Sequence, residues 1–356
     1  MAEIHCYHCF ARFPVGKLHF RCPFCHDQRG ATNPAAGCFP MPRQWLRRTP
    51  PRYVLCRRCG HFTSFRVCPN CYHDLPHYVG RTRQQVIAVT GCSASGKTVY
   101  HWSLLYQLRH HLAVDQNPFV TAMFEDDDSF AIWYGLHDSI YVHRTVPEPT
   151  QAIEQKEGHF DPIIVRLLQQ HRSGRVPQTN LILYDHAGEL VEALDDASYL
   201  RYLSHAAAIL YLVDWQCDCS LAARGLMAVI RHLRLELHLS GKQRIRKPLA
   251  VAVTKADRIP DAEGRLAPNG KTSAFWGRRD HSRRAAIRVG SQSSERFLED
   301  QGFHNFTAIA DQNFSQVGYF WVSALGASPD AEGQLPGAPN PRGVEEPLFW
   351  ALSVLK

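Results

Sequence analysis

Between Gln85 and Lys356 the chain alternates short apolar runs with longer stretches of helical period. The runs Gln85–Thr90, Asn117–Phe124, Leu181–Asp185, Ala206–Asp214 and Pro248–Thr254 leave little polar surface on either face, so each predicts a strand. Val99–Leu112 predicts a helix, and Ser220–Leu239 places Leu221, Leu226, Val229, Ile230, Leu233 and Leu237 at helical spacing. Strand and helix in alternation predict an α/β fold over residues 84–356, with a mostly parallel sheet covered by helices. The acidic run Glu125–Asp128 reads as a solvated turn and carries no metal site; the aromatic stretch Phe130–Val142 reads as helix and strand surface.

Upstream of Gln84 that alternation stops and cysteine takes over. Eight of the twelve cysteines form four CxxC pairs: Cys6/Cys9, Cys22/Cys25, Cys56/Cys59 and Cys68/Cys71. Two thiolates three positions apart grip one metal from a tight turn, and two such turns complete a tetrahedral site. Pairing neighbours in sequence predicts two small zinc ribbons, residues 1–29 and 52–83, joined by a proline- and glycine-rich linker over 30–51. Two zinc ions per chain follow, because modules this small usually need a metal to fold. Rubredoxin-type iron is the alternative. Residues His5, His8, His26 and His73 read as loop histidines, since four cysteines already saturate each site.

Charge sharpens this division. The chain carries +7 overall, but Met1 to Arg83 holds 13 Lys plus Arg against three acids, +10, leaving −3 for the remainder. A basic module beside a near-neutral one suits nucleic acid, an anionic surface, an acidic protein partner or simple solubility. The alternation of aromatic and arginine in Arg43-Gln-Trp-Leu-Arg-Arg48 fits nucleic acid or a linker pinned by Trp45. The longest strongly apolar stretch, Ala206–Val213, falls far short of the roughly 20 residues of a membrane helix. No basic segment followed by an apolar run opens the chain, so a cytoplasmic location is expected, with no membrane partner.

The first apolar run leads into Gly91-Cys-Ser-Ala-Ser-Gly-Lys-Thr98, the GxxxxGKT pattern of a phosphate-binding loop set between a strand and a helix. Backbone N–H groups of Gly91, Ser93, Ala94, Ser95 and Gly96 would converge on phosphate oxygens, with the helix N-terminus adding partial positive charge. Lys97 would reach the β- and γ-phosphates, and Thr98 would place its hydroxyl on Mg²⁺. The run ending at Asp185 continues to Gly188, the form DxxG, whose carboxylate would hold the Mg²⁺ shell while the glycine N–H meets the γ-phosphate. Thr150, in the proline-stiffened loop Val146–Gln151, is the candidate switch threonine, and Thr145 is its rival.

Thr254-Lys255-Ala-Asp257, at the end of the strand Pro248–Thr254, and Ser323-Ala324-Leu325 after Phe320-Trp-Val carry a more specific signal. With them the chain resembles P-loop GTPases of the Ras-like, translation-factor-related (TRAFAC) class over about Gln84 to Lys356. The insertions, the Ser-Ala-Leu-Gly ending and the helix at Arg296–Phe303 resemble the double-GTPase group of bacterial conflict or defence systems. Arg342–Leu352 fits the closing helix of such domains. The resemblance implies that Asp257 accepts hydrogen bonds from guanine N1 and N2, that the Lys255 stem covers the base, and that the backbone after Ser323 meets guanine O6. It implies GTP and GDP as ligands with Mg²⁺.

Two departures qualify that expectation. Glu189 stands where Ras-like enzymes place the glutamine that orients water, and its charge would oppose the γ-phosphate. The intervals from Thr98 to Asp185 and from Asp257 to Ser323 also carry insertions. The expected activity is therefore slow or partner-stimulated GTP hydrolysis driving a conformational switch, with Lys97, Glu189 and Thr150 as catalytic candidates. The rivals are a nucleotide-binding scaffold without turnover and an ATP-dependent P-loop enzyme.

Overall fold

A computed structural model describes residues 3–27, 33, 35–42, 49–76, 79–80, 83–84, 86–110, 120–124, 127–147, 163–169, 178–183, 201–259 and 281–355. The chain divides into two compact units, one of Met1–Gln84 with Gln178–Asn180, the other of the remaining residues from Gln85.

The first unit is built from very short antiparallel strands. β1 (Glu3–His5) pairs with β2 (Arg12–Pro14), and β3 (His19–Arg21) leads into the short helix α1 (Pro23–Asp27). β4 (Cys38–Pro40) lies within the stretch read as a linker and pairs with β3. β5 (Val54–Leu55) and β6 (Phe62–Thr63) form a hairpin, and β7 (Arg66–Val67) and β8 (Asp74–Leu75) complete a sheet of order β4-β3-β7-β8. β9 (Arg83–Gln84) pairs in parallel with Thr179–Asn180.

The second unit carries a parallel sheet in the order β10 (Ile87–Gly91), β14 (Ala208–Asp214), β15 (Leu249–Thr254), β16 (Val317–Trp321). Helix α2 (Lys97–His110) follows β10; β11 (Val120–Phe124) pairs antiparallel with β12 (Ile163–Gln169), and between these two strands lies α3 (Asp127–His137), extended by a wider π-type turn at Asp138–Val142. β13 (Gln178–Leu183) and α4 (Arg201–His205) precede β14. Helix α5 (Cys219–Glu236) joins β14 to β15, α6 (His281–Asp300) and α7 (His304–Asn313) precede β16, and α8 (Glu346–Val354) follows.

Every residue of β14 and β15 is buried, as expected of central strands covered on both faces. Leu210, Leu212, Ala250 and Ala252 pack with Leu104, Leu105 and Leu108 of α2 and Leu348 and Leu352 of α8. Alternate residues turn to the opposite face, where Tyr211 meets Phe306 of α7 with ring centroids 5.5 Å apart. Helix α2 is buried along most of its circumference: Tyr100, Trp102, Ser103 and Leu104 are all inaccessible. Its polar atoms find partners accordingly, Tyr100 Oη donating to Val344 O at 2.8 Å and Gln107 Nε2 to Pro341 O at 2.6 Å.

Two local expectations are corrected. Of the acidic run, Asp127 and Asp128 open α3, where carboxylates favour the helix N-terminus. Phe130–Val142 contains no strand; it is helical throughout, its rings stacking along the helix as in Trp133–His137 (4.8 Å) and His137–Tyr141 (5.1 Å).

Candidate functional site

The eight CxxC cysteines gather into two tetrads, but not by sequence neighbours. Cys6 and Cys9 meet Cys68 and Cys71; Cys22 and Cys25 meet Cys56 and Cys59. The predicted pairing of adjacent motifs is therefore wrong, and the reason lies in the sheet. β3 and β7 run antiparallel with His19 opposite Val67, so Cys22, just past β3, and Cys68, just past β7, leave opposite ends. Each end then collects the knuckle that the neighbouring hairpin brings to it. The knuckle turns close through Gly60 N to Cys56 O (2.9 Å) and Tyr72 N to Cys68 O (3.0 Å), with Gly60 and Tyr72 in the left-handed region.

The sulfurs fit a metal. Zinc–sulfur bonds of about 2.3 Å in a tetrahedron place sulfurs about 3.8 Å apart, and the facing pairs stand at 3.6 Å (Cys6–Cys71), 3.7 Å (Cys9–Cys68), 3.3 Å (Cys22–Cys59) and 3.9 Å (Cys25–Cys56). Crowding forces an uneven sharing of protons. Hydrogen bonds from the Cys6 and Cys71 thiols draw Cys68 down to about 2, whereas Cys6 is pushed up by its bonds to Cys68 and Cys71. Burial pushes Cys25 up to about 12. A divalent cation would remove this cost by stabilising the thiolates.

The second constellation lies at the carboxyl ends of the parallel strands. Gly91 closes β10 at φ 154°, where an added Cβ would stand 2.4 Å from Leu212 O, so the loop lies tight against the neighbouring strand. Ala94 and Gly96 adopt left-handed φ of 56° and 81°, turning the loop back into α2. Ser95, buried, fastens the turn by donating from Oγ to Cys92 O at 2.8 Å. Lys97 is also buried, and its ammonium donates to Gly91 O (3.2 Å) and Cys92 O (2.9 Å), lying over its own loop. Thr98 sits half-buried in the first turn of α2, and Ser93 is half-buried in the loop. The loop thus has the turn, the helix start and the cation that phosphate binding needs.

Two strands away, Lys255 takes left-handed φ 56° at the end of β15 and swings the chain into a short 3₁₀ turn, Ala256–Arg258. Asp257 accepts a hydrogen bond from Ser323 Oγ at 2.6 Å, and Ser323 Oγ accepts from Gly326 N at 3.0 Å. Ser323 is inaccessible and exchanges two backbone bonds with Arg342, at 3.0 and 2.8 Å. Ala324 and Leu325 pack half-buried against the sheet core. Thr254 donates its hydroxyl to Val213 O at 3.2 Å, locking β15 to β14. The fold thereby brings Thr254, Lys255, Asp257 and Ser323–Leu325 into one corner, although 66 residues separate Asp257 from Ser323.

No family model matches the chain. It is 28% identical over 170 residues to a protein of Mycolicibacterium smegmatis described as a candidate ESX-1 scaffolding and assembly protein, SaeC. That match covers 46% of this chain, which spans only 42% of the relative's length. Among solved structures, the chain is similar to the Arl6 BBS3 small GTPase from Trypanosoma brucei with bound nucleotide analogue GppNp, at 14% identity and a TM-score of 0.32, over 77% of this chain and 98% of that one.

One residue of the corner escaped sequence reasoning. Asp214 ends β14 almost fully buried and takes the Lys255 ammonium at 2.5 Å, while its other oxygen accepts from Gln216 N at 3.0 Å. The register that sets Asp214 opposite Thr254 makes this contact, and it becomes visible only once β14 and β15 are known to be neighbours. Trp215 Nε1 supports the same turn by donating to Lys255 O at 3.3 Å. Asp185, Gly188, Glu189 and Thr150 lie outside the described residues, as do Arg43–Arg48. The rival switch threonine, Thr145, has its hydroxyl engaged by Gln334 Nε2 at 2.8 Å. Among the described residues no helix is long and apolar enough to cross a membrane.

Proposed function

We propose that residues 84–356 bind GTP and GDP with Mg²⁺ and act as a conformational switch of slow or partner-stimulated hydrolysis, and that the zinc-binding unit serves as an interaction module. The observation that carries this reading is the hydrogen bond from Ser323 to Asp257. It fixes a carboxylate at the same edge of the sheet as the Gly91–Thr98 loop, with one intervening strand and hence about 10 Å between β10 and β15. A carboxylate held there suits the paired N1 and N2 donors of guanine, which adenine lacks. On this reading Gly91, Ser93–Gly96 and Lys97 hold the phosphates, and Thr98 and Asp185 hold Mg²⁺. Gly188 and Thr150 contact the γ-phosphate, while Thr254, Lys255 and Ser323–Leu325 shape the base pocket.

Glu189 in place of the water-orienting glutamine favours a second reading, a nucleotide-binding scaffold without turnover. The similarity to a protein described as a scaffolding and assembly factor agrees with a role in which binding, rather than rate, matters. Titration with fluorescent GTP and ATP analogues tests the first reading: GTP is expected to bind at least tenfold more tightly, and equal affinity sinks it. Asp257→Asn should move the preference from guanine towards xanthine. Single-turnover phosphate release separates the two readings, since a scaffold releases none above the rate of free GTP.

A further inference from the structure

The β5–β6 hairpin presents an apolar face that is exposed among the described residues. Leu55 and Phe62 stand directly opposite one another, and Tyr53, also exposed, immediately precedes the strand. Their exposures are 48%, 69% and 63%, whereas Val54, Cys56 and Thr63 on the other side are buried. Beside them Phe24, half in solvent, stacks on His61 with ring centroids 3.8 Å apart. The flanking charges are of one sign. Arg52, Arg57 and Arg58 are exposed on the strand approach and the knuckle turn, and residues 49–73 contain no aspartate or glutamate. The nearest acid in sequence, Asp74, is held by Arg21 at 2.8 Å.

We infer that this face binds single-stranded nucleic acid, an inference that rests on reading the zinc unit as an interaction module. Exposed flat rings beside guanidinium groups match a ligand with both π-faces and phosphates. A duplex offers its phosphates but keeps its base faces stacked, so the rings favour the single strand. An acidic protein would satisfy the arginines and leave Tyr53 and Phe62 without matching chemistry. The second cysteine tetrad, which holds the hairpin turn through Cys56 and Cys59, stiffens the platform before the ligand arrives.

The test uses the full chain loaded with zinc and a fluorescein-labelled poly-dT strand of about 20 nucleotides, long enough for one compact module, followed by anisotropy over a salt series. Saturable binding that weakens with salt is expected, with a duplex of equal length bound at least tenfold more weakly. Phe62→Ala should weaken binding about tenfold with an unchanged salt slope. The double change Arg57→Ala/Arg58→Ala should weaken it and flatten the slope by about 1.4, the contribution of two phosphate contacts to a single strand. All three side chains are exposed, and retained zinc content verifies that each variant is folded. Absence of binding by zinc-loaded protein at low salt, equal affinity for the duplex, or variants that bind like the wild type would overturn the inference. So would saturation by poly-glutamate in place of the oligonucleotide, which would give the face to an acidic protein. A chain that holds no zinc at all would instead refute the metal-module reading beneath it.

Discussion

The strands of the first unit are two or three residues long, while those of the second run five to seven apart from the split pair at β9 and β13. A strand of two or three residues buries only one or two side chains, too little apolar area to offset the entropy of ordering its backbone. Eight thiols at the hairpin ends supply what packing does not. In the second unit a continuous core runs from Ile87 through Leu210 and Ala250 to Leu352. The two units illustrate separate sources of order: with metal at its tetrads, one would rest on coordination chemistry that a chelator removes, the other on apolar burial that it leaves intact.

The largest expected effect follows from stripping the metal. Structural zinc contributes an apparent ~10–16 kcal/mol in small modules, so a strong chelator, or Cys68→Ser, should open residues 3–76 to protease while guanine-nucleotide affinity survives. Loss of nucleotide binding together with zinc would break the comparison. Next comes Leu210→Ala in the central strand, which should lower the stability of the second unit by about 2–5 kcal/mol in a denaturant titration, with both zinc ions retained. Ser323→Ala removes the partner of Asp257 and leaves Gly326 N–H without its acceptor. It should weaken guanine-nucleotide binding about tenfold and cost roughly 1–2 kcal/mol of stability.

The smallest effect is a pH dependence confined to the second unit. Burial, and then the neighbouring Asp311 carboxylate, raise Glu295 to about 7. The folded chain therefore holds a proton there that the unfolded chain has released, and the associated stability is complete below pH 4.5 and is lost as pH rises through 7. Glu295→Gln should flatten thermal stability over that window. An unchanged profile would remove the Glu295–Asp311 pair as its origin.

Much of the second unit was legible because its signals are local. The apolar runs of β10, β14 and β15 announce strands, and Gly91–Thr98, Thr254–Asp257 and Ser323–Leu325 each sit at a strand end where a turn must follow. β12 carries a weaker signal, because Arg166 interrupts the apolar residues Ile163-Ile-Val and Leu167-Leu. From the sequence Asp214 reads only as a strand end, because its partner Lys255 is set by which strands are neighbours, a property of the whole sheet. The cysteine partners failed for the same reason. Proximity along the chain favours Cys6/Cys9 with Cys22/Cys25, but the β3–β7 register, joining residues about 46 positions apart, decides otherwise.

That crossed arrangement is also nested, since the site of Cys22, Cys25, Cys56 and Cys59 lies wholly inside the interval spanned by the other. Closing the outer site alone must bring together cysteines such as Cys9 and Cys68, 59 positions apart; once the inner site is closed, the 31 positions from Cys25 to Cys56 are already gathered in. Loop-closure entropy then falls by an amount worth about threefold in affinity. An ion bound at the inner tetrad would therefore prepare the outer one, giving the uptake of two ions a modest positive cooperativity.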